Sequence, residues 1–231
     1  WTWVKGSRGH SSSWKQLALL DYVRSLIPAG TAVSVVGDSE FGAIPVLKWL
    51  DRTGWHYVLR QKGNHLVQLP HETPWRRFDS LITRRRQRVW MPQARLTEKH
   101  AYPVNVLAYW KSGEKEPWLL ATNCPELRAA LRAYRKRMWI EEMFGDFKGH
   151  GFDLESTHLR NFLRLSRLTL AVALLYVWLI AYGSKVIKDG LRPLVDRKDR
   201  RDLSIFRIGL DMIDRHLTNQ EAFVFRRLPY F

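Results

Sequence analysis

The sequence has one cysteine, Cys124, and few acidic residues, with 22 Asp and Glu against 38 Lys and Arg. A single cysteine excludes a disulfide framework and a cysteine-based zinc site. The eight histidines show no pair at the spacing of metal ligands. These absences favour a reducing cytoplasm. The formal net charge of +16 indicates a polyanionic partner, and we predict nucleic acid rather than an anionic membrane surface; a ribosome-like or merely basic surface is the alternative.

The sequence starts at Trp1 rather than Met and shows no charged-then-apolar leader, so we expect that its beginning has been cut away. One uncharged run, Leu168–Ser184, is at the lower limit for a membrane span. Amphipathic turns precede this run, so we predict that it belongs to a longer helix buried in a protein core, with no membrane. A basic membrane-associated protein built around the run is the alternative.

Hydrophobic periodicity divides the 231 residues into four parts. It predicts helix, strand, helix and strand in residues 1–64, a β-rich block in 65–123, helices in 124–185 and a helical tail in 186–231. The first and third parts can share one α/β layer structure, with the β-rich block inserted between them. The run Arg84–Arg88 belongs to a predicted strand of that block, either as a solvated surface or as a phosphate contact.

A helix predicted over Glu126–Lys148 carries a polar row. Tyr134, Arg137, Glu141 and Lys148 fall within an arc of about 60° on a helical wheel. A carboxylate therefore lies between basic side chains in a chain of high positive charge. The alternative is a solvated face with an Arg137–Glu141 pair, worth a few tenths of a kcal/mol.

The same wheel gives two further predictions. Glu142 lies about 100° from the polar row, so Glu141 is the glutamate expected to take part in chemistry. The opposite face is predicted to be a core stripe, formed by Trp139, Ile140, Met143, Phe144 and Phe147.

The spacing Tyr-x2-Arg-x3-Glu-x6-Lys from Tyr134 to Lys148 resembles the Tyr-Arg-Glu-Lys (YREK) signature of one group of bacterial insertion-sequence transposases. The stretch VVGDSEFG resembles the motif that carries the second catalytic Asp of these DDE enzymes, which would be Asp38. The stretch PWLLATN resembles the segment that leads into their glutamate helix. The resemblance covers roughly residues 10–180.

The resemblance implies an α/β fold with an RNase H-like (retroviral integrase-like) core, incomplete at its N-terminus, a β-rich insertion and a helical C-terminal part. Only one helix and one strand are predicted before Asp38, so the first catalytic Asp would be missing. The implied function is metal-dependent phosphodiester cleavage and strand transfer at insertion-sequence ends, with this chain inactive alone. A non-catalytic DNA-binding remnant and a resolvase-like nuclease are the alternatives.

By the same resemblance, Asp38 and Glu141 would be catalytic and would bind Mg²⁺ or Mn²⁺. Asp38 has an alternative role as a helix N-cap. Tyr134, Arg137 and Lys148 would hold the DNA near the cut.

Further partners follow from the resemblance. Trp110 and Trp118 are candidates for stacking on a flipped base, with packing in the core or hairpin as the alternative. The expected partners are DNA, as transposon ends and target, and a second copy of the chain in a paired-end complex. The expected location is the cytoplasm, at the bacterial nucleoid.

Overall fold

The computed structural model of the protein describes residues 11–149, 151–199 and 201–222. These residues divide into two compact units, which we call the N-terminal unit (residues 11–138) and the C-terminal unit (residues 139–222). The N-terminal unit is a mixed α/β structure with one sheet. The C-terminal unit is helical.

The first part of the N-terminal unit follows the predicted order of helix, strand, helix and strand. These elements are α1 (Ser13–Leu26), β1 (Ser34–Gly37), α2 (Ile44–Arg52) and β2 (His56–Arg60). Helix α2 has a proline in its first turn, where the missing N–H removes no helical hydrogen bond. Gly54, with φ of 71°, follows the end of α2 and turns the chain into β2.

The β-rich block continues the same sheet. Its strands are β3 (Leu66–Gln68), β4 (Trp75–Arg77), β5 (Arg88–Leu96), β6 (Tyr102–Tyr109) and β7 (Trp118–Thr122). The strand order is β1-β2-β7-β6-β5-β3-β4, in which β1 and β2 are parallel and every other pair is antiparallel. Strands β6 and β7 form an antiparallel hairpin.

Both faces of this sheet are covered, because its strands alternate between two cores. Tyr57 and Leu59 of β2 face a core that includes α2, whereas Val58 faces a second core that includes α3 (Leu127–Arg135). Strands that contribute to a core on each face are buried on both sides, which accounts for the uninterrupted apolar runs in β2 and β7.

Two features of the β-rich block differ from the prediction. Arg84–Arg86 form an exposed turn before β5 rather than part of a strand. Strand β4 and the 3₁₀ turn Phe78–Leu81 were not predicted, because a three-residue strand with two exposed arginines carries no hydrophobic alternation.

The predicted continuous helix Glu126–Lys148 is also wrong. It is broken at Lys136 into α3 and α4 (Arg137–Phe147). The N–H of Lys136 donates to the carbonyl of Ala133, three residues back, which tightens the last turn of α3. A wheel drawn across this break misplaces residues on its two sides, and Tyr134 is buried rather than part of an exposed row.

The predicted core stripe of α4 is wrong for three of its five residues. Trp139 is 65% exposed and Phe144 is 53% exposed, and Ile140 is exposed as well. By contrast, the charged residue Asp146 is buried. Periodicity showed that α4 has an apolar face, but it does not show whether that face meets the core.

The C-terminal unit contains α5 (Phe162–Lys188) and α6 (Ile205–Thr218), with 3₁₀ turns at Leu154–Thr157 and Arg192–Leu194. Helix α5 begins at Phe162. Its N-cap is Asn161, whose side chain accepts a hydrogen bond from the N–H of Arg164 at 3.0 Å. Only one α-helix follows Pro193 among the described residues.

Helix α5 has the length and apolar composition of a membrane span, and 22% of its most apolar window is buried. The prediction of a buried core helix therefore holds for one stripe only. That stripe includes Val172, Leu179 and Val186, whereas Leu170 and Leu174 are exposed.

Helices α5 and α6 approach each other at two glycines. A Cβ atom at Gly183 would lie 2.1 Å from the carbonyl oxygen of Ile205, and one at Gly209 would lie 2.2 Å from that of Leu179. Side chains cannot relieve a clash with backbone, so only glycine fits at either position.

We expect Gly183→Ala to destabilise the C-terminal unit by about 1–3 kcal/mol or more, because the added methyl group forces the two helix backbones apart. Urea unfolding followed by circular dichroism measures this change. Gly149→Ala is the matched control, since a Cβ there meets no atom within 4 Å. Equal stability of the two variants would contradict the close helix approach.

Candidate functional site

Asp38 directly follows β1, at the carboxyl end of the parallel strand pair. Its Oδ1 accepts a hydrogen bond from the N–H of Glu40 at 3.0 Å, which is the geometry of an Asx turn. Helix α2 begins six residues after Asp38, with Ala43 at its N-cap, so Asp38 does not cap that helix. The side chain is exposed, as a metal ligand or phosphate neighbour requires.

The loop after Asp38 is held on both sides. The buried side chain of Gln16 donates to the carbonyl of Glu40 at 3.0 Å. On the other side, a Cβ at Gly42 would lie 2.7 Å from the carbonyl oxygen of Arg60, so the loop backbone lies against the end of β2. The position of Asp38 therefore depends on α1 and β2 as well as on its own strand.

Tyr134 lies at the end of α3 and anchors that helix on the sheet. Its ring packs edge-to-face on Trp118, with centroids 5.1 Å apart, and Trp118 packs in the same way on Tyr109 at 5.8 Å. All three side chains are buried. The burial of Trp118 favours its packing role over base stacking.

Three charged side chains act on the Tyr134 hydroxyl. Burial raises the pKa of Tyr134, the positive charges of Arg137 and Arg60 lower it, and the negative charge of Asp38 raises it. The guanidinium of Arg137 lies 5.6 Å from the centre of the Tyr134 ring. The N-terminal unit thus brings together Asp38, Tyr134 and Arg137, three of the residues that the sequence singled out.

Arg60 was not predicted as part of this group. It is the last residue of β2, the parallel neighbour of β1, and it pairs with Glu116 at 3.0 Å. The sequence does contain a signal for Arg60, since this residue ends the predicted strand that follows the one before Asp38. The carboxyl ends of parallel strands share one edge of a sheet, so the two side chains could be expected to lie near each other.

Glu141 and Lys148 belong to the C-terminal unit, and both are exposed. Glu141 lies in α4, one turn after Arg137, and Lys148 immediately follows the end of the helix. The i, i+4 spacing places Arg137 and Glu141 on one face of α4. This part of the predicted polar row is retained after the break at Lys136.

Trp110 lies beside the Arg84–Arg86 turn and is half-buried. Its indole N–H donates to the carbonyl of Glu114 at 3.1 Å, inside the loop between β6 and β7. Its role in base stacking stays a prediction.

Within residues 11–149, 151–199 and 201–222, no group of three His, Cys, Asp or Glu side chains has the arrangement of a metal site. The exposed carboxylates of Asp38 and Glu141 do have the chemistry that Mg²⁺ prefers, since this ion takes hard oxygen ligands and few carboxylates.

The family-model comparison identifies the chain. The model of the transposase DDE domain matches residues 4–178, so the chain belongs to the family of transposase DDE domains. Transposition is the process in which this family acts, and DNA is its partner. No curated protein matches the chain.

We expect Tyr134→Ala to lower the free energy of unfolding by about 3–5 kcal/mol, because it removes a buried aromatic ring from beside Trp118. Tyr134→Phe keeps the ring and is expected to cost far less. Urea unfolding followed by tryptophan fluorescence measures both. The matched control is Tyr22→Ala, at a 48% exposed tyrosine of the same unit; a loss as large there would show that burial is not the cause.

Proposed function

We propose that the chain is the catalytic region of an insertion-sequence transposase of the YREK group, with an RNase H-like core. Its reaction is metal-dependent cleavage of a phosphodiester at the ends of the element, followed by strand transfer. The observation that carries this proposal is the grouping of Asp38 with Tyr134 and Arg137 in a chain of this family.

Asp38 and Glu141 are the residues that we propose as catalytic acids and metal ligands. Both side chains are exposed carboxylates. Within the described residues, the Asp38 carboxylate accepts a hydrogen bond from the N–H of Glu40 and is otherwise open to solvent. Bound Mg²⁺ or Mn²⁺ would supply activation of the attacking water and stabilisation of charge at the phosphate.

The basic residues have a separate task, which is to hold the DNA beside these acids. Arg137 offers a planar guanidinium that binds a phosphate through two hydrogen bonds, and Lys148 offers a point charge. The Tyr134 hydroxyl, whose pKa is raised by burial, is a hydrogen-bond donor at neutral pH like that of any tyrosine. Burial limits its reach, so its ring also serves to position Arg137 at the start of α4.

A non-catalytic DNA-binding remnant is the second candidate. The specific observation in its favour is that the described residues contain no three-membered group of metal-binding side chains. We propose that this polypeptide alone has little nuclease activity for that reason. The further features of the proposal are a paired-end homodimer on DNA and a cytoplasmic location at the nucleoid.

The proposed acids are tested by Mn²⁺ binding to the protein–DNA complex, measured as the loss of free Mn²⁺ by electron paramagnetic resonance. We expect weak binding that Asp38→Asn and Glu141→Gln each reduce by about tenfold or more, since each removes a ligand from a sparse site. Glu98→Gln, at an exposed carboxylate in the turn before β6, is the control and is expected to leave binding unchanged.

Equal Mn²⁺ binding by all variants would reject the metal site. A plasmid-nicking assay in Mg²⁺ or Mn²⁺ examines the proposed low activity. Robust nicking that Glu141→Gln abolishes would show that this chain already holds a complete set of acids.

A further inference from the structure

One edge of the seven-stranded sheet gathers Asp38 and the ends of four strands, two of which are the arginines Arg60 and Arg88. The register pairs Arg60 with Leu120, Tyr109 with Trp118, and Arg88 with Tyr109. This edge therefore holds, in order, Asp38 after β1, Arg60 at the end of β2, the start of β7, the end of β6 and the start of β5.

The far end of this edge is strongly basic. Arg84, Arg85 and Arg86 are exposed in the turn that precedes β5, and Arg88 begins the strand. None of these four arginines has an ion-pair partner in the part of the chain that the structure describes. The chain as a whole is strongly positive, so the guanidinium groups of this cluster repel one another unless an anion binds to them.

Hydrogen bonds fix the backbone of the Arg84–Arg86 turn. The N–H of Arg86 donates to the carbonyl of Trp110 at 2.6 Å, and the N–H of Trp110 donates back to the carbonyl of Gln87 at 3.1 Å. The side chain of Gln87 accepts from the N–H of Thr83 at 3.0 Å. Arg86 has φ of 68°, a strained conformation for a residue other than glycine, and such strain concentrates at functional sites.

We propose that the Arg84–Arg86 turn binds the DNA backbone at a second place, separate from the acids. The proposal rests on the proposed function, because it takes the DNA held at Asp38 as the same molecule. Arginine pairs with phosphate through two parallel hydrogen bonds, and three unpaired guanidiniums on one turn suit a phosphate backbone. Phosphate contacts of this kind fix register without reading the base sequence.

The sheet sets the spacing between the two contacts. Four strand steps separate β1 from β5, and at about 4.8 Å a step they span about 19 Å. One strand of duplex DNA carries a phosphate every 3.4 Å or so along the axis, which gives about five or six nucleotides between the contacts. Arg60 lies between them, at the second strand of the edge.

The test compares the salt dependence of binding to a 30-base-pair duplex of arbitrary sequence, measured by fluorescence anisotropy. The variant Arg84→Ala/Arg85→Ala/Arg86→Asn uses asparagine at position 86 because this residue tolerates a positive φ. Each lost phosphate contact reduces the slope of log K against log salt by about 0.9, so we expect a slope shallower by about 2–3.

The control removes equal charge away from this edge, with Arg24→Ala in α1, Arg52→Ala at the end of α2 and Arg95→Ala near the other end of β5. All three of these arginines are exposed. We expect their loss to leave the slope close to that of the unchanged chain. Circular dichroism and thermal unfolding of each variant verify that the fold is intact.

The outcomes separate the two proposals. If the unchanged chain binds DNA and the two triple variants have the same salt slope as each other, the second contact is overturned and the proposed function is not affected. Absence of DNA binding by the unchanged chain at any salt concentration overturns both. A shallower slope in the arginine-turn variant alone supports the second contact.

Discussion

The antiparallel pairing of β2 with β7 is the constraint on which the N-terminal unit depends. Val58 pairs with Thr122 and Arg60 with Leu120. The chain therefore leaves the sheet at the end of β2 and, after more than fifty residues, comes back as β7 to pair with β2 itself. The hydroxyl of Thr122 donates to the carbonyl of Tyr57 and reinforces this pairing. The pairing places the start of β7, and therefore Trp118, at the edge where Asp38 lies.

Aromatic packing that starts at this edge positions the charged residue Arg137. Trp118 supports Tyr134, and Tyr134 fixes the end of α3 at the point where α4 begins with Arg137. Edge-to-face aromatic pairs contribute roughly 0.5–1.5 kcal/mol beyond the area that they bury. Packing of apolar rings, rather than a direct ion pair, thus positions Arg137 in the vicinity of Asp38.

Sequence patterns predicted the elements around Asp38 well, because β1, α2 and β2 are short, apolar and bounded by Gly or Pro. They also singled out Asp38, Tyr134 and Arg137. They failed where the outcome depends on tertiary packing: the break at Lys136 and the exposure of Trp139 leave no trace in periodicity. Arg60 went unnoticed because its importance comes from the parallel pairing of β1 with β2.

The central proposal is that Asp38 and Glu141 are both ligands of metal ions that act on DNA. Anomalous diffraction from Mn²⁺-soaked crystals of the protein–DNA complex tests it most directly. The account predicts a Mn²⁺ peak at ligand distance, about 2.0–2.2 Å, from a carboxylate oxygen of each residue. A peak bound by only one of them, or Mn²⁺ located elsewhere on the chain, would contradict it.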